Sequence, residues 1–380
     1  MAGLATFDSL KIRDYRLLWL GQISTSLGQW MDQVTRGWLI FQITNSPTQL
    51  GLATAMRGLP LLLFGIIAGA YADRSGRKTQ LIVAQVTNAV LNVVLATLVI
   101  THRVHPWHVY TTAFLAGTVQ AFQQPARQTL VSDLVGNDRL MNALALNSAA
   151  LNSSRTLGPA FAGIFISAVG VAGSYYLQGA MYAFATVWTI QMHVPERRLG
   201  QRREPFLQSI RAGFSYVGKS PDIRTLMILA LGPLTFGMSY TSLMPVVARN
   251  ILHGGASLQG LLLSCIGVGS LTGALVVASM RRRYGYGLPV VIGASCFSLA
   301  IIGFGSSQWI PVSVVLGFVL GLFSVTYQTQ NQTLLQLLAP RHLRGRIMSI
   351  YLLNRGLVPV GALLAGVLAS HFGGAVALRL

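Results

Sequence analysis

The chain has 380 residues, of which 52% are hydrophobic and only 10% are charged. A soluble domain carries roughly a quarter charged residues, so this composition excludes an ordinary water-soluble protein. The formal net charge of +19 would suit a nucleic-acid-binding protein. The basic residues, however, stand in short clusters between apolar segments of about twenty residues, the length that crosses a bilayer. We therefore interpret the charge as a signal of membrane orientation and expect no nucleic-acid partner.

Eleven apolar stretches follow one another along the chain. They cover residues 17–42, 49–71, 80–101, 108–124, 143–169, 172–193, 225–248, 258–280, 288–307, 311–328 and 347–370. Each is long enough to cross a bilayer as a helix, which predicts an all-α membrane protein. The residues after the eleventh stretch are too few for another crossing, so we expect either that a twelfth helix is truncated or that the protein ends in an unusual way.

The positive residues predict how the chain is oriented. With the N-terminus on the cytoplasmic side, the loops of that side hold 21 lysines and arginines and the opposite loops hold 3. Positive residues accumulate on the cytoplasmic side of multi-pass proteins. The sequence therefore predicts a cytoplasmic N-terminus.

The polar segment 194–223 separates six apolar stretches from five. Short sequences recur across it at a nearly constant offset; Gln128-Thr129-Leu130, for example, returns as Gln332-Thr333-Leu334. Several such matches in the same order indicate an internal duplication. We predict a six-helix bundle over residues 1–193, a cytoplasmic linker over 194–223 and a second bundle over 224–380.

The connection between the second and third stretches carries the strongest motif. It reads Gly69-Ala70-Tyr71-Ala72-Asp73-Arg74-Ser75-Gly76-Arg77-Lys78. This run resembles the signature of the major facilitator superfamily, with Tyr71 in place of the usual leucine. We expect Gly69 to allow close helix contact, Gly76 to turn the chain with a positive φ, and Asp73 to accept amides at a helix N-terminus or pair with an arginine. The resemblance implies a latch between the two halves on the cytoplasmic side; a solvated orientation loop is the alternative.

Two further matches narrow the resemblance. The run Gln124-Pro125-Ala126-Arg127-Gln128 falls in the loop that we predict after the fourth stretch, and it is similar to the branch that contains enterobactin and macrolide exporters. The pattern from Gly28-Gln29-Trp30-Met31 to Gly37-Trp38-Leu39 in the first stretch is similar to the same branch. The resemblance implies the major facilitator fold, a bacterial inner-membrane location and export of small amphipathic molecules, drug-like or siderophore-like. We expect the chain to act as a monomer.

The fifth stretch contains Arg155-Thr156-Leu157-Gly158-Pro159-Ala160-Phe161-Ala162-Gly163, which resembles the glycine-proline motif of the family's antiporters. Pro159 lacks a backbone donor and should bend the helix, while Gly158 and Gly163 should let a neighbouring helix approach. Ordinary kinked packing would use the same residues. The arginine that drug–proton antiporters carry in helix four is missing from 108–124, which argues against their proton relay.

Asp32 is the only one of the nine acidic residues that falls in the middle of an apolar stretch. A carboxylate at that depth is a functional hypothesis by default. Burial favours its protonated form, which suits a proton carrier, whereas Arg36 one turn later favours the anion. Asp32 is therefore either the coupling site or a member of a structural ion pair.

Three more arginines, Arg57, Arg155 and Arg355, also fall in apolar stretches. Facing a central cavity, they would suit an anionic substrate; near helix ends, Arg57 and Arg155 could instead extend to the interface. Trp30, Gln120 and Gln328 complete the predicted cavity lining, although such glutamines more commonly bond between helices.

The sequence contains no metal-ligand cluster, paired carboxylates, nucleophile constellation or phosphate-binding loop. We therefore expect no enzyme activity, no metal and no cofactor besides a coupling proton. The predicted function is proton-coupled export by alternating access, in which Asp32 exchanges a proton for substrate. An uncoupled or lipid-handling facilitator of the same fold is the alternative.

Overall fold

The computed structural model describes residues 5–74, 76–194, 216–235, 237–279, 287–340, 343, 347–348, 350–351 and 357–379. Within these ranges the chain is helical and contains no strand, which confirms the predicted all-α class. Most of the predicted linker 194–223 and the residue Arg355 lie outside the described residues.

Four helical runs account for the first half of the chain, after a short 3-10 segment, Ala5–Lys11. They are α1 (Arg13–Thr44), α2 (Pro47–Arg74), α3 (Arg77–Ile100) and α4 (Pro106–Gln191). Both α2 and α4 begin at a proline, whose fixed φ fits the first helical turn and whose missing N–H has no partner to lose there.

The run α4 is 86 residues long and is interrupted at Gly136 and Gly170, which have φ of 67° and 75°. Only glycine adopts this conformation without steric cost, so each glycine ends one helical segment and begins the next. The expectation of a loop between the fourth and fifth stretches is wrong, because residues 125–135 continue the fourth helical segment. Polar side chains there reduce the hydropathy without ending the helix.

Seven further α-helices follow in the second half of the described chain. They are α5 (Pro221–Thr235), α6 (Tyr240–Val246), α7 (Ala256–Ser279), α8 (Gly287–Ser306), α9 (Ile310–Leu338), α10 (Val358–Phe372) and α11 (Gly374–Arg379). The predicted stretch 225–248 is divided, because a 3-10 turn at Gly237–Ser239 precedes α6 and a π-helical segment, Val247–Ile251, follows it. Pro233 and Pro245 lie inside these helices, where each removes a backbone donor.

Six runs among the described residues are long and apolar enough to cross a membrane: Arg77–Ile100, Asp138–Gln191, Pro221–Ile251, Ala256–Ser279, Gly287–Ser306 and Ile310–Leu338. The 54 residues of Asp138–Gln191 contain the break at Gly170, and about twenty residues suffice for one crossing. This run therefore has the length of two spans.

The chain divides into two compact units. The first comprises residues 1–44, 56–199 and 255–260, and the second comprises residues 45–55, 200–254 and 261–380. In the first unit, α1 packs along α4, and an apolar cluster that includes Tyr15, Leu81 and Leu130 lies at one end of these helices. In the second unit, α5 and α9 share a cluster that includes Ile223, Met227 and Leu335.

Large apolar side chains cover much of the surface of both units. Examples include Val83, Ile164, Leu275 and Leu299, each more than half exposed. So much exposed apolar surface would be unfavourable in water, whereas a bilayer covers it. The packing therefore agrees with a protein embedded in lipid.

Candidate functional site

The centre of the first unit contains an ion pair between Asp32 and Arg36, one turn apart on α1. Arg36 Nη2 donates to Asp32 Oδ1 at 2.8 Å, and Arg36 Nε donates to Asp32 Oδ2 at 3.2 Å. Both residues are buried. The i, i+4 spacing predicted from sequence thus places a two-bond guanidinium–carboxylate pair inside the helix bundle.

Arg36 also connects α1 to α4. Its Nη1 donates to the carbonyl oxygen of Val109 at 3.0 Å and to Thr112 Oγ1 at 2.8 Å. The guanidinium is therefore hydrogen-bonded from all three nitrogens. This arrangement satisfies a charge that would otherwise be costly in the membrane interior.

Arg57 of α2 reaches the same carboxylate. Its Nη1 lies 3.8 Å from Asp32 Oδ2, and its Nη2 donates to Gln120 Oε1 at 3.3 Å. Gly117 makes this approach possible, since a Cβ at that position would overlap the backbone carbonyl of Arg57. The structure therefore joins four predicted site residues, Asp32, Arg36, Arg57 and Gln120, into one network.

The charges of this network do not cancel. Two arginines and one carboxylate leave one excess positive charge when Asp32 is ionised. The Arg57 side chain keeps 21% of its surface exposed, compared with 8% for that of Arg36. Arg57 is therefore the more accessible cation of the two and the more weakly held.

Trp30 and Arg155 form a neighbouring contact in the first unit. Arg155 Cζ lies 5.6 Å from the centre of the Trp30 ring, within the range of a cation–π interaction. Gly158, one turn beyond Arg155, lets α4 approach α1, because a Cβ there would come within 2.5 Å of Trp30 Cβ.

The remaining residues of the predicted helix-five motif also pack closely. A Cβ at Gly163 would lie 2.9 Å from the carbonyl oxygen of Ala256, and the carbonyl oxygen of Pro159 faces Gly260. The backbone stays helical through Pro159, and its non-helical residues are Gly136 and Gly170. In the described part of the chain, this motif therefore serves as a packing surface.

Gln328 lies on α9 in the second unit. It donates to Ser324 Oγ one turn earlier at 3.0 Å and contacts Met238 Sδ at 3.9 Å. The role predicted for Arg355 falls outside the described residues.

The structure describes only part of the signature motif. Gly69, Asp73 and Arg74 lie in the last turns of α2, and the structure describes their backbone and not their side chains. Gly76 precedes α3 with φ of −60° and ψ of 112°. The positive φ expected at Gly76 is therefore wrong, because the chain enters α3 through an extended residue.

Arg77 and Lys78 both hold α3 to α4 within the first unit. Arg77 Nη1 is ion-paired with Asp133 Oδ2. Lys78 Nζ donates to the carbonyl oxygens of Ile190 and Met192 at 2.8 and 2.7 Å, at the end of α4 where carbonyls lack helical partners. The latch between halves that the resemblance implied for this motif remains a prediction.

Arg127 is a polar residue of the first unit that the sequence reasoning placed in a loop. The fourth helical segment continues past it, so the expectation that this segment lacks an arginine is wrong. Arg127 Nη1 donates to Thr25 Oγ1 at 2.7 Å and to Gln22 Oε1. Gln120, Gln123 and Arg127 stand at i, i+3 and i+7, a spacing that places them on one helix face. This spacing was the signal in the sequence that Arg127 belongs to the fourth helix.

The second unit contains a cavity of about 520 Å³ between α5, α8 and α10. Phe297, Ile301 and Leu368 are among its mostly apolar lining residues, which include none of the predicted site residues.

Among the described residues no group of three potential ligands could hold a metal ion. His105 and His108 instead cap the start of α4, with the His105 backbone N–H donating to His108 Nδ1 at 3.0 Å.

Comparison with known sequences decides the family. The sequence profile of the transmembrane secretion effectors, within the major facilitator superfamily, matches residues 4–380. The chain belongs to this family. The predicted resemblance to major facilitator transporters is thereby confirmed, and membership identifies a multi-pass membrane transport protein rather than an enzyme.

Related transporters cover most of the chain. The staphyloferrin A transporter of Staphylococcus aureus is 24% identical over 91% of this chain and 87% of its own length. The multidrug efflux pump Tap of Mycolicibacterium fortuitum is 26% identical over 94% of this chain and 89% of its own. The enterobactin exporter EntS of Citrobacter koseri is 26% identical over 82% of this chain and 74% of its own. The first of these relatives is named as a transporter, the second as an efflux pump and the third as an exporter, in line with the predicted transporter class.

Solved structures show the same fold. A bacterial homologue of the human lysosomal transporter Spinster, inward-facing and unoccupied, aligns with a TM-score of 0.76 at 16% identity, over 96% of this chain and 84% of its own. The nucleoside transporter NupG aligns with a TM-score of 0.77 at 12% identity, over 96% of this chain and 94% of its own. At these identities the likeness extends to the fold alone, and it confirms the predicted major facilitator fold.

Proposed function

We propose that this secretion effector exports small amphipathic molecules by alternating access and exchanges them for protons at Asp32. Its place is the bacterial inner membrane, with the N-terminus in the cytoplasm, and the monomer is the working unit. The export functions of the relatives support the direction of transport. The internal duplication supports alternating access, because repeated bundles of this kind rock around a central site.

The contact between Asp32 and Arg57 carries the proposal for proton exchange. At 3.8 Å it is longer than a hydrogen bond, so it is weaker than the contact between Asp32 and Arg36. Arg57 also has Gln120 as a second partner. Arg57 is therefore the group that a transported molecule can displace from the carboxylate.

A hydrogen-bond donor of the cargo and a proton would compete for Asp32. A hydroxyl, amide or ammonium group that binds the ionised carboxylate excludes the proton, and a proton on the carboxylate removes the acceptor that the donor needs. Cargo therefore binds on the cytoplasmic side with Asp32 ionised and leaves on the opposite side as Asp32 takes a proton. By linkage, acid weakens the binding of such cargo.

The uncoupled facilitator remains the second candidate, and one observation favours it. Arg36 occupies both oxygens of Asp32 with buried hydrogen bonds, an arrangement that stabilises the anion without a proton. In that case Asp32 serves as the structural partner of Arg36, and transport follows the gradient of the cargo alone. The two candidates differ in their response to a pH gradient.

Uptake into everted membrane vesicles separates the two candidates. The probes are ethidium and 6-hydroxy-2-naphthoate, one cationic and one anionic amphipathic molecule, each with a hydrogen-bond donor that can bind Asp32. With an acidic lumen, proton exchange predicts accumulation above the outside concentration, abolished by a protonophore and by Asp32→Asn. Asp138→Asn, which removes an exposed carboxylate from α4, is the matched control and should retain accumulation.

Uptake that only equilibrates with the outside concentration, and that neither the protonophore nor Asp32→Asn changes, would establish the uncoupled facilitator. Transport of neither probe by the wild type would contradict the assignment to small amphipathic molecules.

A further inference from the structure

The buried end of Arg127 has more hydrogen-bond donors than the described protein satisfies. Its Nη1 is bonded to Thr25 and Gln22 of α1. Its Nε and Nη2 are shut off from solvent and have no partner among the described residues. The residue as a whole is only partly buried, so the enclosed part is its charged end.

Gln123 adds a further unsatisfied donor beside Arg127. Its side chain is 8% exposed, and its Nε2 has no partner in the described part of the chain. Gln123 and Arg127 are four residues apart on α4, so their side chains lie on the same face, one turn apart. The unsatisfied groups of this pair are Arg127 Nε, Arg127 Nη2 and Gln123 Nε2, and all three are donors.

The charge of Arg127 is also unneutralised. It forms no ion pair with any described residue, in contrast to Arg36 and Arg77, which face Asp32 and Asp133. An unpaired cation and unpaired donors in a membrane protein interior are unfavourable. A group that supplies negative charge and several acceptor lone pairs would remove both penalties.

We propose that Arg127 and Gln123 form a binding site for an oxyanion of the transported molecule, a carboxylate in the simplest case. A carboxylate accepts two parallel hydrogen bonds from the guanidinium edge of an arginine, and its remaining lone pairs can accept from the Gln123 amide. This inference rests on the proposed export function and adds the chemical class of the cargo to it.

The distance between this site and Asp32 indicates how long the transported molecule should be. Thr25, a partner of Arg127, lies seven residues before Asp32 on α1. Gln120, the partner of Arg57, lies seven residues before Arg127 on α4. At 1.5 Å per residue, both helices place the two positions about 10 Å apart along the bundle. A cargo with an oxyanion at one end and a donor about 10 Å away would reach both positions.

The test is equilibrium binding of two probes that share a shape and differ in charge, 2-naphthoate and 2-naphthamide. The full chain is purified in dodecyl maltoside, and binding is measured by dialysis at pH 7. The wild type should bind the acid at least about tenfold more tightly than the amide, as expected for charge-assisted hydrogen bonds. Arg127→Gln should reduce that preference to about twofold or less, because it removes the charge and the guanidinium edge.

Arg16→Gln is the matched control, since it removes the same charge from an exposed position on α1 and should keep the preference. A wild type with no preference for the acid would overturn the proposal and indicate that water satisfies the three donors. Retention of the preference in Arg127→Gln, or an equal loss in Arg16→Gln, would overturn it as well.

Two milder variants apply if Arg127→Gln does not fold. Arg127→Lys keeps the charge without the planar edge, and Gln123→Leu keeps the guanidinium without the amide. Each should weaken acid binding severalfold, and unchanged affinity in both would reject the site. Dialysis without a gradient requires neither proton exchange nor a direction of transport. A protein that binds the acid but exchanges no protons would therefore contradict the antiport proposal alone.

Discussion

Arg36 donates two buried hydrogen bonds to Asp32, at 2.8 and 3.2 Å, from one turn further along α1. This pair shares its carboxylate with Arg57, whose contact is longer, at 3.8 Å. Asp32 therefore has one tightly bound partner and one partner at a longer distance. Under the proposed exchange, that difference lets a single carboxylate be part of the structure and still respond to a proton or to cargo.

The pair predicts a strong asymmetry between single and double variants. Arg36→Gln leaves a buried carboxylate with one distant cation, and Asp32→Asn leaves two cations without their anion. Each single variant should destabilise the protein by about 3–5 kcal/mol, the cost of an uncompensated buried charge. The double variant should lose clearly less than the sum, because it removes both charges. Thermal unfolding in detergent measures all four proteins, and additive losses would show that the two side chains act independently.

The position of Arg57 should depend on the absence of a side chain at Gly117. The Cβ of Gly117→Ala would overlap the backbone carbonyl of Arg57, so α2 must move away from α4. We expect a loss of about 1–3 kcal/mol in stability, typical of overpacking, together with reduced transport of both probes.

Gly232→Ala on α5 is the control for this substitution, since a Cβ there has no atom within 4 Å. It should leave stability and transport at or above the wild-type level. Equal effects of the two substitutions would argue against the close approach of α2 and α4.

The ion pair of Arg77 and Asp133 predicts a separable contribution to the first unit. Arg77→Gln and Asp133→Asn should each cost about 1–3 kcal/mol, as expected when a partly buried charged partner is lost. The double variant should show a coupling energy of at least about 0.5 kcal/mol in a double-mutant cycle. Chemical unfolding of the four proteins provides the cycle, and a coupling near zero would mean that the contact contributes nothing.

Apolarity predicted the helices better than it predicted their ends. The stretches 80–101 and 288–307 correspond closely to α3 and α8, because both are apolar almost throughout. The fourth stretch was ended at residue 124, where polar residues begin, although the helix continues to the break at Gly136. Two of these polar residues, Arg127 and Asp133, bond to neighbouring helices, so a fall in hydropathy there did not mark a loop.

Local spacing predicted the contacts within one helix, and contacts between helices were beyond it. The pairing of Asp32 with Arg36 follows from four residues of separation. The contacts of Arg57 with Asp32 and with Gln120 depend on how α2 crosses α4 at Gly117, which no pattern in the sequence specifies. The enclosed end of Arg127 was missed for the same reason, since its partners Thr25 and Gln22 lie on another helix.

The N-terminal segment predicts a pH-dependent contact outside the membrane. Lys11 Nζ lies 2.8 Å from Asp8 Oδ1, and Arg139 Nε lies 3.1 Å from Asp8 Oδ2. The hydrogen bond from Lys11, with added attraction from both cations, lowers the pKa of Asp8 below its ordinary value of 3.8. A lowered carboxyl pKa means that the contact contributes fully above the unfolded-state pKa and is lost as the pH falls through the folded-state pKa.

The segment Ala5–Lys11 should therefore be held on α4 at neutral pH and released at strongly acidic pH. Hydrogen exchange of this segment, compared with Asp8→Asn at each pH, measures the effect and cancels the intrinsic pH dependence of exchange. We expect slower exchange in the wild type at pH 6 and a smaller difference between the two proteins at pH 2.5. A difference that persists unchanged at pH 2.5 would contradict the assignment of the contact to Asp8.

The most direct test of proton exchange at Asp32 is proton release measured in proteoliposomes. Purified protein is reconstituted with a pH-sensitive dye in the lumen, and ethidium or 6-hydroxy-2-naphthoate is added outside in the absence of any imposed gradient. We predict a probe-dependent proton flux in the direction opposite to the probe, present in the wild type and in Asp138→Asn and absent in Asp32→Asn. Probe transport that moves no protons in the wild type, or an undiminished proton flux in Asp32→Asn, would contradict the exchange.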